Sequence, residues 1–177
     1  ADIDAFPICL ATKEVDEVIA AVKWLEPTFG GINLEDISGP RCFVIEQKLK
    51  EAMGIPVFHD DQHGTAVVCL AGLLNALKVV NKRIDQVKVV ISGAGAAGLS
   101  VARLLLHAGV NPTRMRICDI EGTLYPGKSP DNLYHEEMAR LINPEGERGD
   151  LAAMLKGADV LIGVSAPGIV TGEMVKT

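Results

Sequence analysis

Residues 87–92 (VKVVIS) are a run of β-branched residues that ends in Gly93-Ala94-Gly95-Ala96-Ala97-Gly98. Few sequence features restrict a fold as much as this junction. A short apolar run reads as a buried strand, and the apolar spacing from residue 97 to 107 reads as a helix. The first glycine permits a tight turn. The second lets a pyrophosphate approach the backbone, and the third lets helix and strand pack closely. The helix N-terminus offers free N–H groups and a positive end to an anion. The next strand, residues 114–118, ends in Asp119, which is placed to hold ribose hydroxyls. Gly93, Ala94, Gly95, Ala96, Ala97, Gly98 and Asp119 are therefore candidate dinucleotide-binding residues. The bare alternative is a glycine-rich turn without a ligand. A carboxylate at 119 repels a 2′-phosphate, and no Arg or Lys follows before Lys128, so NAD is favoured over NADP.

Strand, glycine turn, helix and strand make a βαβ unit, and with it a parallel, doubly wound α/β sheet. A further buried strand is expected at 158–164. Ser165-Ala166-Pro167-Gly168 would follow it at the carboxyl edge, where Ser165 can touch the cofactor or simply turn the chain. Short helices are expected at 134–142 and 150–155, and a long Gly/Pro/Ser-rich loop at 121–132.

The first part of the chain carries a second signal. Two short apolar runs, residues 31–34 and 55–58, each end in acids: Glu35 and Asp36, then Asp60 and Asp61. Ligands bind at strand ends in open α/β sheets. Four carboxylates gathered there repel unless a cation lies among them. Hard oxygens without nearby Cys suit Mg²⁺ or Mn²⁺. His59 and His63 flank the second pair, but zinc would need further His or Cys ligands. The spacing alone leaves a metal site and two polar turns both open. Around these acids, residues 1–10 alternate as a strand would, and 12–25 have helical spacing with Thr12 as cap. Pro40 opens a helix that Gly54 stops. Residues 59–65 read as a polar turn, and 66–80 as a helix apolar on all sides, hence buried.

Net charge is −6 and no basic run is present, which argues against nucleic acid. The longest apolar stretch, 66–77, is short for a bilayer, and the N-terminus lacks a signal pattern. The 4 cysteines form no CxxC pair and lie in apolar contexts, as buried free thiols of a cytoplasmic protein would. The chain starts without Met inside an apolar segment and stops inside a helix, as a piece of a longer polypeptide would. The apolar first half points to a homo-oligomer, a dimer being the simplest.

FGGINLEDI, PRCFVIEQKLK, IPVFHDDQHGTA, ISGAGAAGLSVARLL and the following CDIEG together resemble the bacterial-type malic enzymes across nearly the whole chain. The resemblance implies oxidative decarboxylation of (S)-malate to pyruvate and CO₂ with NAD(P)⁺ and Mg²⁺ or Mn²⁺. It implies Glu35, Asp36 and Asp61 as metal ligands, and Asp60 beside the catalytic groups, helping to set their protonation. Residues 1–60 would be the end of a malate- and metal-binding domain, and 61–177 a dinucleotide-binding domain. The family's general base Lys and general acid Tyr match no position here. The segment by itself is therefore expected to be inactive. Val44 stands where relatives carry an acid. The rival readings are a metal-independent amino-acid or hydroxy-acid dehydrogenase and a non-catalytic NAD-binding domain.

Overall fold

The computed structural model describes residues 2–176. Two sheets organise it. The first is a parallel pair, β1 (Ile32–Leu34) and β2 (Val57–His59), with Leu34 opposite His59. Helices α1 (Val15–Leu25) and α2 (Arg41–Ala52) cover it. Val18 and Val22 of α1 pack on Ile45 and Leu49 of α2 and on Leu34 and Val57 of the strands. Because the strands are parallel and in register, the acids after each emerge at the same end.

The second sheet has the order β5-β4-β3-β6. Strand β3 (Val89–Ser92) is fully buried, flanked in parallel by β4 (Met115–Asp119) and β6 (Val160–Gly163). Strand β5 (Gly122–Thr123) runs antiparallel to β4. Helices α3 (Thr65–Val80), α4 (Ala96–His107) and α5 (Leu133–Ile142) build the main core on one face, through Leu73, Leu77, Leu99, Leu105, Met138 and Ile142. The short α6 (Leu151–Leu155) closes the other face with Met154 and Leu155 against Val90, and α7 (Gly172–Val175) follows β6. Asn132 and Asp150 cap α5 and α6 through their side-chain oxygens.

Several expectations are corrected. Residues 2–10 form no strand; they are exposed coil, because alternation creates a strand only where an edge is available to pair with it. Ala1 lies outside the described residues. The turn expected at 59–65 is a π-helical turn, Asp60–Gly64, that runs straight into α3. His59 Nδ1 accepts the Gln62 N–H at 3.3 Å and so caps it. The loop expected at 121–132 contains β5. Strand β6 is only partly buried, since it is the edge of this sheet. Cys9 is exposed, Cys42 and Cys118 are buried and Cys69 is half-buried; all are free thiols.

The largest correction concerns α3. Its inner residues pack on α4, but Val67, Val68, Leu74, Val79 and Val80 are exposed. With its π turn it forms one helix, Asp60–Val80, of 21 residues, whose most apolar 18-residue stretch has mean hydropathy 1.5, long and apolar enough by composition to cross a membrane. Its first turn nevertheless carries Asp60, Asp61 and His63 and lies on β2. The all-round apolar pattern marks the helix but not its burial: only its inner face is packed among the described residues.

An ionic knot around the buried Glu46 ties the two sheets. Glu46 of α2 is 6 % exposed. It accepts from Gln62 Nε2 at 3.3 Å, pairs with Lys50 Nζ at 2.7 Å, and shares His63 Nε2 between its oxygens at 2.7 and 2.9 Å. Gln62 Oε1 in turn accepts from Ser100 Oγ of α4 at 3.4 Å. Burial works to raise the Glu46 pKa; the hydrogen bonds from Lys50 and His63 outweigh it and hold the carboxyl below its ordinary value of 4.5. A depressed folded value stabilises the fold above pH 4.5, and that stability is lost as pH falls through the lowered value. Glu46→Gln should cost about 2 kcal/mol at neutral pH and flatten this acid limb, read by urea denaturation at several pH values.

Candidate functional site: a cavity between two strand ends

The glycine turn fits a dinucleotide for reasons visible atom by atom. Gly93 has φ +120°, and a Cβ there would lie 2.7 Å from Val164 O. A Cβ on Gly98 would lie 1.8 Å from Gly93 O, so only glycine lets α4 start against this turn. Gly95 differs: a Cβ there would meet nothing within 4 Å. Its open side faces a cavity of about 1360 Å³ that Gly93, Ala94, Gly95 and Ala96 line. Ala97 and Gly98 lie behind them in the first turn of α4.

Asp119 and Ser165 line the same cavity. Ser165 Oγ is 3.0 Å from Ser92 Oγ, which joins the carboxyl ends of β6 and β3. Asp119 Oδ1 accepts the Glu121 N–H at 2.8 Å and pairs with Lys128 Nζ at 2.5 Å. Lys128 also donates to Gly122 O at 2.9 Å, and its side chain is 7 % exposed. Sequence separation hides this pair: the β4–β5 hairpin folds the first cation after Asp119 back onto it. The charge of Asp119 is thus partly offset.

Of the four acids, Asp36 and Asp61 line this cavity. Asp61 Oδ2 accepts the Asp36 backbone N–H at 2.9 Å. Asp36 has φ +56°, an unfavourable conformation for a residue with a Cβ, and this bond spans the two strand ends. His59 is fully buried, its Nε2 has no hydrogen-bond partner among the described residues, and that nitrogen lies 3.9 Å from Asp61 Oδ2. Glu35 is turned aside, its Oε1 accepting from Asn33 Nδ2 at 2.8 Å. Asp60 lies against Gly64, where a Cβ would come 2.1 Å from its Oδ1. The structure thus brings together two of the acids and the dinucleotide turn. Among the described residues no cluster of three His, Cys, Asp or Glu donors is assembled. The oxygen donors present are of the kind Mg²⁺ or Mn²⁺ prefers.

His63, flanking the second acidic pair, faces Glu46 rather than this cavity. His135 and Asn132 of the α5 start line the cavity and carried no signal in the sequence.

A family model described as "Malic enzyme, NAD binding domain" matches residues 62–177, and one described as "Malic enzyme, N-terminal domain" matches residues 10–50. The chain is 56 % identical over 176 residues to an NAD-dependent malic enzyme of Geobacillus stearothermophilus, covering 99 % of this chain and 36 % of that protein. It is 48 % identical to an NADP-dependent malic enzyme of Escherichia coli, of which it covers 23 %. The crystal structure of an NAD-dependent malic enzyme from Thermotoga maritima superposes with a TM-score of 0.92 at 53 % identity, over 99 % of this chain and 47 % of that one. The chain therefore spans less than half the length of these relatives.

Proposed function

This chain belongs to the malic enzyme family, and on that premise we propose that the whole protein converts (S)-malate and NAD⁺ to pyruvate, CO₂ and NADH with Mg²⁺ or Mn²⁺, NADP⁺ being accepted less well. Residues 1–60 belong to the malate- and metal-binding part and 61–177 to the dinucleotide-binding part. The observation that carries the reading is the shared cavity: Asp36 and Asp61, one acid from the end of each of β1 and β2, line the same space as the glycine turn that ends β3.

A bound dinucleotide would supply the hydride acceptor, and a bound dication would supply Lewis-acid polarisation of the malate 2-hydroxyl. The chain's own residues do the rest by placement. Gly93 to Gly98 present backbone N–H groups to the pyrophosphate. Asp119, oriented by Lys128 and Glu121 N–H, accepts from ribose hydroxyls. Asp36, Asp61 and Glu35 would hold the metal. Asp60 stands next to Asp61 and biases the protonation of neighbouring groups. Ser165 closes the cavity beside β3.

The test is malate-dependent NADH formation by the whole protein, with pyruvate and CO₂ released in equal amounts. EDTA should abolish it and Mn²⁺ restore it. Turnover of a hydroxy or amino acid that survives EDTA would replace this reading with a metal-free dehydrogenase. NADH binding without turnover or Mn²⁺ binding would reduce the protein to a nucleotide-binding module.

A further inference from the structure

The start of α5 is fastened from two sides. Asn132 Oδ1 accepts the His135 backbone N–H at 3.3 Å. Tyr134 stacks on Phe43 with ring centroids 4.3 Å apart, and the Arg103 guanidinium of α4 lies 5.8 Å from the Tyr134 ring centroid. Held in this way, His135 reaches the glycine turn: its Nε2 is 2.8 Å from Ala94 O. A carbonyl oxygen can only accept, so Nε2 carries the hydrogen. The ring makes this bond although its Nδ1 is left buried with no partner among the described residues.

The consequence lies across the peptide. In a trans peptide the C=O and the following N–H point in opposite directions. With the Ala94 carbonyl directed at His135, the Gly95 N–H is turned the other way. Gly95 is exposed, its Cβ position is open space, and it lines the cavity. We propose that His135 is a positioning residue for the dinucleotide pyrophosphate: by holding Ala94 O it aims the Gly95 N–H at the phosphate oxygens. The inference rests on the dinucleotide-binding part of the function proposed above and not on the malate chemistry.

The experiment uses the whole protein without malate or metal. NADH and ADP-ribose affinities are measured by fluorescence and calorimetric titration, with adenosine as the ligand that lacks phosphate. His135→Leu should weaken NADH and ADP-ribose about tenfold, the effect of losing about 1.4 kcal/mol, and leave adenosine within about twofold. His135→Gln, whose Nε2 can occupy the same place, should recover most of the loss. If His135→Leu does not fold, His135→Asn, whose amide is too short to reach Ala94 O, takes its place. Equal weakening of adenosine and ADP-ribose, or failure of Gln to restore, would show a merely structural histidine and overturn the proposal. An unmodified protein that binds ADP-ribose but does not oxidise malate would sink the function proposed above and leave this inference intact. One that binds neither nucleotide sinks both.

Discussion

Gly98→Ala should weaken dinucleotide binding about a hundredfold or more and destabilise the fold, while Gly95→Ala, three residues away in the same turn, should weaken binding about tenfold or more and leave the fold intact. The two glycines are present for different reasons. At Gly98 an added Cβ would stand 1.8 Å from Gly93 O and 2.9 Å from Gly93 C. Both are backbone atoms of a turn already held by the Gly93 N–H bond to Cys118 O at 2.8 Å. No side chain can swing aside, so α4 must lift from β3. A cost of about 3 kcal/mol is expected, at the upper end for overpacking. The turn geometry is lost with it, and NADH affinity should fall about a hundredfold or more, since turn, helix start and phosphate site are one unit. At Gly95, φ is −80° and a Cβ meets nothing, so alanine costs the fold under about 0.5 kcal/mol. Its methyl would occupy the space through which a pyrophosphate reaches the backbone, and affinity should drop about tenfold or more. Urea denaturation and NADH titration of both variants separate the effects. Equal stability losses, or a Gly95→Ala protein that binds NADH normally, would show that the ligand does not lie on this turn.

What could be read from the residues follows from how local each signal is. The β3–turn–α4 unit is legible because its determinants are contiguous: a β-branched run, glycines at positions that admit no Cβ, and an apolar helix. The two acidic pairs are legible as strand ends because acids break apolar runs, and parallel register then brings Asp36 and Asp61 together. Features fixed by distant partners are not legible. Strand β5 is two residues long and exists only because β4 pairs with it. The Asp119–Lys128 pair needs the hairpin that β5 creates. Glu46 reads as one more surface acid of a helix, and only the packing of α2 against the π turn buries it with Gln62 and beside His63. Residues 2–10 show the converse error, an alternating pattern with no edge to join. The outer face of α3 shows another: its composition demands burial but does not say by what.

Asp61 offers the sharpest test of the metal reading, because its two tasks can be separated by choice of substitution. Its Oδ2 holds the Asp36 N–H, which stabilises a left-handed residue, and its charge would hold the cation. Asp61→Asn keeps an acceptor of the same shape, so Asp36 stays in place and stability should change by less than about 0.5 kcal/mol. Asp61→Ala removes that acceptor and should cost about 1 to 2 kcal/mol. Both lose the charge that a hard dication requires, and both should lose Mn²⁺ affinity by about a hundredfold, read by the electron paramagnetic resonance signal of free Mn²⁺. Malate turnover should fall about a thousandfold, since an ion that polarises the reacting oxygen accounts for several kcal/mol of barrier. NADH affinity should stay within about twofold, because the glycine turn is untouched. Glu35→Gln completes the argument. Glu35 is bonded to Asn33, so a loss of Mn²⁺ affinity comparable with that of Asp61→Asn means that Glu35 also holds the cation. Unchanged affinity in Glu35→Gln means the dication rests on Asp36 and Asp61 alone. Unchanged affinity in Asp61→Asn would remove the metal from this cavity, and the malate chemistry with it.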